Sequence, residues 1–169
     1  NYVVSAAIKK AIDSLGGVDL VLSGVQAEDD QSAVTGVMIA DLMGLASCTN
    51  VVKIEVGGDG KTMTVNRELE GGFNEIAEIA MPALLTIQSG INQPRYPTLP
   101  GIMKAKKKRL DVKKAGDIGA AELGEAGSKT KFVKMFFPVS DHKAEILTGD
   151  AKTAAKTLVD KLKNEAKVL

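Results

Sequence analysis

The chain has one cysteine, one histidine and no tryptophan, and only two tyrosines and four phenylalanines. A single cysteine, Cys48, excludes an internal disulfide framework and a multi-cysteine metal site, and suits a reducing compartment. The lone histidine, His142, lies between Asp141 and Lys143 and reads as a surface residue rather than a catalytic base. No serine, cysteine or carboxylate constellation supports hydrolysis. Net charge is only +1, so the global basic field of a dedicated nucleic-acid binder is missing. No apolar run approaches a membrane span of about 20 residues, and the opening residues do not form a signal peptide. Neither GxGxxG nor a Walker pattern is present, which removes the dinucleotide and triphosphate fingerprints.

What remains is ordinary globular material, 44% hydrophobic and 25% charged over 169 residues, enough for one core. The chain does not begin with methionine and opens directly in a helical pattern, so a fragment or processed product is the economical expectation. Val4, Ile8, Ala11, Ile12 and Leu15 recur at helical spacing until Gly16 and Gly17 stop them. Residues 19–24 are a short apolar run ending in glycine, which predicts a buried parallel strand. Residues 34–45 are apolar nearly all round, as for a helix laid on a sheet. Helix, strand, loop and helix in that order make one doubly wound α/β unit.

The period then changes from helix to strand. Val52, Ile54 and Val56 alternate with Lys53 and Glu55, a glycine-rich turn follows at 57–60, and Met63, Val65 and Leu69 alternate in their turn. Gly71 and Gly72 lead into a weaker strand over 74–81, Pro82 ends it, and residues 84–88 predict another buried strand. A β-meander inserted in an α/β sheet is the predicted topology. Residues 115–130 carry Gly116, Gly119, Gly124 and Gly127 and predict an extended arm. The chain ends in an amphipathic helix with Asp150 as N-cap and Ala151, Ala154, Leu158, Leu162 and Ala166 as its buried stripe. The expected division is an α/β domain over 1–114 and a C-terminal arm and helix over 115–169.

Three segments carry candidate chemistry. The loop at 24–36 joins the carboxyl end of a strand to a helix start, the usual ligand position of open α/β sheets. Glu28, Asp29 and Asp30 could accept from ribose hydroxyls or an adenine amino group. Amides near Ala33, Val34 and Thr35, with the Thr35 hydroxyl, could hold one phosphate. Plain helix capping by Asp30 or Ser32 accounts for the same residues and is the reading that the residues by themselves favour. Residues 67–72 read simply as a hairpin with solvated charges. At 92–109, Pro94, Pro97 and Pro100 exclude helix or central strand over 92–100. A basic run that can form a short cationic helix follows. That run suits a solvated face, a nucleic-acid site or a protein-docking anchor in which lysines steer and Leu99 grips. Few aromatics and near-neutral charge weaken the nucleic-acid reading.

These segments also carry a resemblance. Pro94-Arg95-Tyr96, Thr98-Leu99-Pro100 and Ile102-Met103-Lys104-Ala105-Lys106-Lys107-Lys108, preceded by Arg67-Glu68-Leu69-Glu70-Gly71-Gly72, resemble the β subunit of electron-transfer flavoproteins. The match runs from about Asp19 to the C-terminus and lacks the family's N-terminal portion. The resemblance implies a Rossmann-like fold of the adenine-nucleotide α-hydrolase type, with a meander and a C-terminal arm packing on an α subunit. It implies that Gln26-Ala27, Asp29-Asp30 and Thr35-Gly36 belong to a loop holding a structural AMP, with Ala27, Asp30, Ala33, Val34 and Thr35 as contacts. Ala33 and Val34 replace more polar residues of the family, which leaves backbone contacts at those two positions. Electron-bifurcating relatives bind a second FAD there with a different loop, Asp-Gly-Asp-x-x-Gln-x-Gly-Pro, which this chain does not carry.

The resemblance further implies that Glu68 faces the partner's flavin domain and pairs with an arginine there. It implies that Tyr96, Leu99, Ile102, Met103, Lys104 and Lys107 bind an acyl-CoA or amine dehydrogenase, with Leu99 as anchor. In animal relatives the lysines matching Lys104 and Lys107 are methylated. The expected function is that of a non-catalytic subunit of a heterodimeric electron carrier, delivering electrons to a membrane quinone reductase or similar acceptor. FAD would be held mainly by the α subunit, in bacterial cytoplasm or mitochondrial matrix, with no nucleic acid and no membrane insertion. A stand-alone adenine-nucleotide-binding regulatory domain is the alternative.

Overall fold

A computed structural model describes residues 1–139 and 144–169 of the chain. It resolves into two compact units, Asn1–Lys131 and Phe132–Leu169. In the first, helix α1 (Tyr2–Asp13), strand β1 (Leu20–Gly24) and helix α2 (Thr35–Met43) precede a long strand β2 (Ala46–Val56). Strands β3 (Thr62–Glu68), β4 (Asn74–Ala80) and β5 (Ala83–Ile87) follow, then helix α3 (Leu99–Lys106). The sheet order is β1-β5-β2-β3-β4. β5 lies parallel between β1 and β2, while β2, β3 and β4 form an antiparallel meander. This is the predicted Rossmann-like α/β sheet carrying a meander.

Two apolar clusters hold it. On one face Cys48, Val51, Met63, Val65, Ala83 and Leu85 are buried, with Ile54, Ala77 and Ile79 packed beside them. On the other, Ile39 and Ala40 of α2 close over Leu84, flanked by Val21 and Met43. α1 packs on α2, where buried Ser5 donates its hydroxyl to the Thr35 carbonyl at 3.2 Å. Of the alternating residues that marked the hairpin, Ile54, Met63 and Val65 face the first cluster, whereas Val56 and Leu69 are exposed and the buried Val51 lies outside the predicted pattern.

Several sequence expectations are corrected. β1 is parallel as predicted but only half-buried, with Leu22 55% exposed, because it is an edge strand with β5 as its one neighbour among the described residues. In α1, Val4 and Ile8 are exposed, as is Leu15 just beyond the helix, and the small residues Ser5 and Ala6 are the buried ones. β2 begins at Ala46, earlier than its alternation suggests, since a register shift between Cys48 and Val51 breaks the period, with Asn50 at φ 56°.

Residues 115–130 do not run as an extended arm. They make three 3-10 turns, Ala115–Ile118, Ala121–Leu123 and Glu125–Gly127, and the first two lie against α1. Ala120 is buried there, Lys10 reaches Glu122 at 3.2 Å, and Lys129 sits over the Tyr2 ring at 5.3 Å. Gly119 ends the first turn at φ 65°, a conformation glycine adopts without strain.

The second unit contains helix α4 (Ala151–Asn164). Its predicted cap holds, the Thr153 N–H donating to Asp150 Oδ1 at 2.8 Å. Its predicted buried stripe does not. Ala154 and Leu162 are half-buried, while Ala151, Leu158 and Ala166 are exposed, because no second helix or sheet of this unit is present to cover them among the described residues. Phe132, Val133, Met135, Phe136, Phe137 and Val139 are also exposed.

Candidate functional site

The first candidate site is built by the 24–36 loop. β1 ends at Gly24, in register with Ile87 at the end of β5, so the loop leaves the sheet at the carboxyl ends of parallel strands. Ala27, Asp30, Ala33, Val34 and Thr35, the five residues proposed to contact a nucleotide, all line one cavity of about 320 Å³, with Ser23, Gly24 and Gly36.

The alternative reading of this loop, side-chain capping of α2, is not what the structure contains. Val34 is the N-cap, and among the described residues no side chain accepts from the first-turn N–H groups. Asp30 instead accepts from the Ser32 N–H at 3.1 Å, and Asp29 accepts from the Asp30 N–H at 2.8 Å. One oxygen of the Asp30 carboxylate is engaged in a local turn of the loop, whose Gln31 and Ala33 take positive φ of 48° and 53°. The free amides at the start of α2 are therefore available to an acceptor from outside the chain.

Gly36 explains how the helix start comes so near the sheet. A Cβ there would lie 2.8 Å from Thr86 Cγ2 and inside contact distance of Ser23 Oγ. Only a residue without a side chain allows α2 to settle over β1 and β5 at this distance.

The second candidate site is the docking segment. Leu99 opens α3, with Thr98 as N-cap accepting from the Gly101 N–H at 3.3 Å. Leu99 and Pro100 are thus helical, against the exclusion of helix over 92–100. The reason is that first-turn amides have no intrahelical acceptor, so a proline there costs no hydrogen bond. Leu99, Ile102 and Met103 stand at i, i+3 and i+4, and Leu99 is 74% exposed. Tyr96 is 98% exposed. Lys104, Lys106 and Lys107 occupy the C-terminal end of the helix, where cations are favoured, and all are exposed.

Glu68 ends β3 as an exposed carboxylate. Strand alternation sends its neighbour Arg67 to the opposite face, where it reaches Thr49 Oγ1 at 3.1 Å and Glu75 at 3.4 Å. Sequence reasoning missed a second cavity of about 540 Å³, lined by Gln26, Glu28, Asn50, Gln88 and Ser89 among others. Its only signal in the sequence was the position of residues 88 and 89 just beyond a predicted parallel strand.

Of the remaining candidates, Cys48 is buried, and burial raises its thiol pKa above the ordinary value. That suits a packing role. His142 lies outside the described residues. Among the described residues no cluster of His, Cys, Asp or Glu could hold a metal, and no helix is long and apolar enough to cross a membrane.

Comparison with known proteins shows the family. The electron transfer flavoprotein domain family matches residues 1–118. The chain belongs to the electron transfer flavoprotein family. It is 37% identical over 151 residues to the electron transfer flavoprotein subunit beta of Bacillus subtilis, covering 89% of this chain and 57% of that protein. It is 38% identical over 164 residues to the subunit beta of Thermoanaerobacterium thermosaccharolyticum, covering 95% and 62%. Against the bovine subunit beta it is 45% identical over 102 residues, 60% of this chain and 39% of the relative. The chain therefore spans about 57–62% of the length of the two bacterial relatives.

Proposed function

We propose that this chain works as a β-type subunit of a heterodimeric electron-transfer flavoprotein, binding AMP as a structural nucleotide and docking a dehydrogenase. It makes and breaks no covalent bonds itself. FAD, held mainly by the α subunit, supplies the electron-carrying chemistry. The observation that carries the reading is the gathering of Ala27, Asp30, Ala33, Val34 and Thr35 on one cavity beside an uncapped helix start. One phosphate would take the amides of the first turn, while the acids of the loop accept from the nucleoside.

The docking role rests on α3. Leu99, Ile102 and Met103 offer a compact apolar face, and the lysines behind it draw in an acidic acyl-CoA or amine dehydrogenase surface. Glu68 meets an arginine of the α subunit's flavin domain and favours one of its orientations. An exposed pair of this kind is worth about a kcal/mol or less, weak enough for the domain to leave again. The exposed apolar run at 132–139 favours this partnered reading over a stand-alone nucleotide-binding domain, since a monomer would leave it in water.

The test uses the natural subunit carrying this sequence, co-produced with its α partner. A yellow complex that releases AMP and one FAD on denaturation, read by mass spectrometry, is the expected result. Two FAD and no AMP would overturn the nucleotide assignment. A colourless monomer that binds AMP tightly by itself would overturn the carrier reading.

A further inference from the structure

Gln88 stands one residue past β5 and is tied down at three points. Its backbone N–H donates to the Val51 carbonyl at 3.0 Å, which fixes it against β2. Its side-chain Oε1 accepts from the Ser89 N–H at 3.0 Å. With the oxygen engaged, the other end of the amide has only donors to offer, and Nε2 faces Glu68 Oε2 at 3.5 Å. The side chain thus reaches past β2 to the end of β3, beside the cavity that it lines with Asn50.

We propose that Gln88 is a positioning residue, holding the Glu68 carboxylate over the carboxyl ends of the parallel strands in the posture that receives a guanidinium from the flavin domain. The proposal rests on the reading of Glu68 given above. Chemistry favours an amide for this work. A lysine or arginine at residue 88 would neutralise Glu68 and compete with the partner's cation, whereas an amide orients the carboxylate and leaves its charge intact. The cation next in the chain, Arg67, is already turned to the other face and bonded to Thr49 and Glu75. Among the described residues Gln88 is the only side chain that hydrogen-bonds Glu68, so its other oxygen stays open to a partner.

The effect is bounded by rotamers. An exposed glutamate divides its time among about three staggered χ1 wells, and apparent affinity scales with the fraction in the competent one. A contact as long as 3.5 Å restrains rather than locks the side chain. Its loss should therefore weaken the Glu68 contact by roughly threefold at most.

The experiment uses the natural heterodimer with one dye on the flavin domain and one on this subunit, reporting the population in which Glu68 meets the guanidinium. Glu68→Ala should lower that population and abolish its salt dependence. Gln88→Ala should lower it up to about threefold, with salt dependence retained, and Gln88→Glu should lower it further by placing like charge beside Glu68. In the double variant Gln88→Ala should add nothing to Glu68→Ala. If Glu68→Ala acts and Gln88→Ala does not, the positioning role is wrong while the reading of Glu68 stands. If the Gln88→Ala effect persists without Glu68, Gln88 acts elsewhere and the proposal is overturned. If Glu68→Ala changes nothing, both fall.

Discussion

Replacing Gly36 with alanine measures how closely α2 must lie on the sheet. The added Cβ would stand 2.8 Å from Thr86 Cγ2, where carbon contacts ordinarily sit at about 3.5–4.0 Å. It would also meet Ser23 Oγ, but among the described residues that hydroxyl bonds only the neighbouring Gly24 carbonyl and can turn away. Thr86 cannot turn so cheaply. It is buried, and its Oγ1 accepts from the Asn50 N–H at 3.2 Å, so rotation strands that amide. Overpacking costs about 1–3 kcal/mol, against a gain near 1 kcal/mol for alanine over glycine in a helix. The expected net loss is up to about 2 kcal/mol, or up to roughly 8 °C in Tm for a chain of this size. Denaturant unfolding of the natural subunit in its heterodimer, followed by circular dichroism, reads it out. In a Thr86→Ser background, which removes Cγ2 and keeps Oγ1, the alanine penalty should shrink. Higher stability for Gly36→Ala, or an undiminished penalty beside Ser, would refute the close-packing reasoning. AMP content should fall with stability, because lifting the first turn displaces the amides proposed to hold phosphate.

Other expectations follow from the same geometry. Leu99→Ala should slow electron transfer from the dehydrogenase roughly tenfold, as for truncation of an interface anchor, with FAD and AMP content unchanged; loss of either cofactor would make the segment structural. Thr98→Ala removes the cap of α3, worth about 1 kcal/mol, and should speed amide exchange over 101–106 about fivefold, while Thr98→Ser should not. Asp150 has its carboxyl held below the usual range by hydrogen bonds from the Thr153 side chain and backbone amide. The folded form therefore binds its proton less readily than the unfolded chain. The cap's contribution is complete above the ordinary carboxylate range and is lost as pH falls through the lowered folded value. Protection of the first-turn amides of α4, taken relative to their intrinsic exchange at each pH, should fall across that window in the parent and show no such step in Asp150→Asn.

The sheet was legible because its period changes. Continuous apolar runs marked β1 and β5, alternation marked β2 and β3, and glycine pairs marked the turns between them. What periodicity cannot say is which elements cover a face. It put Leu158 and Leu162 on one buried stripe, yet that stripe is largely exposed, and it grouped Val4 and Ile8 on one helix face where Ser5 and Ala6 are the buried residues. The candidate nucleotide loop was legible as a loop at a strand end, and its five residues do share one cavity. The capping question was not legible, because Asp30 as cap and Asp30 in a local turn use the same residue at the same spacing. Gly36 and Gln88 were illegible for another reason. Their roles depend on Thr86 and Glu68, brought near by strand pairing that no local pattern reveals.

The strain in the 24–36 loop bears on what a nucleotide would do there. Ala33 holds a left-handed backbone that costs an L-residue about 1–2 kcal/mol, and Gln31 does the same two residues earlier. The α2 amides receive no side-chain cap, which forgoes about a further 1 kcal/mol. A protein under selection for stability alone would relieve both with an Asn or Gly at residue 33 and a Ser or Asp at residue 34. On the proposed reading the ligand supplies what these residues withhold. A phosphate takes the amides, and a nucleotide present at a hundredfold over its Kd adds about 2.7 kcal/mol to the folded state. That offsets more than half of a summed local cost of about 3–5 kcal/mol. AMP then serves as a structural member of the sheet's carboxyl edge. Val34→Ser tests this, since an internal cap competes with the phosphate for the same N–H groups. The variant should be more stable than the parent when both are stripped of nucleotide and should bind AMP more weakly. A gain in stripped stability with undiminished AMP affinity would show that the phosphate does not use those amides.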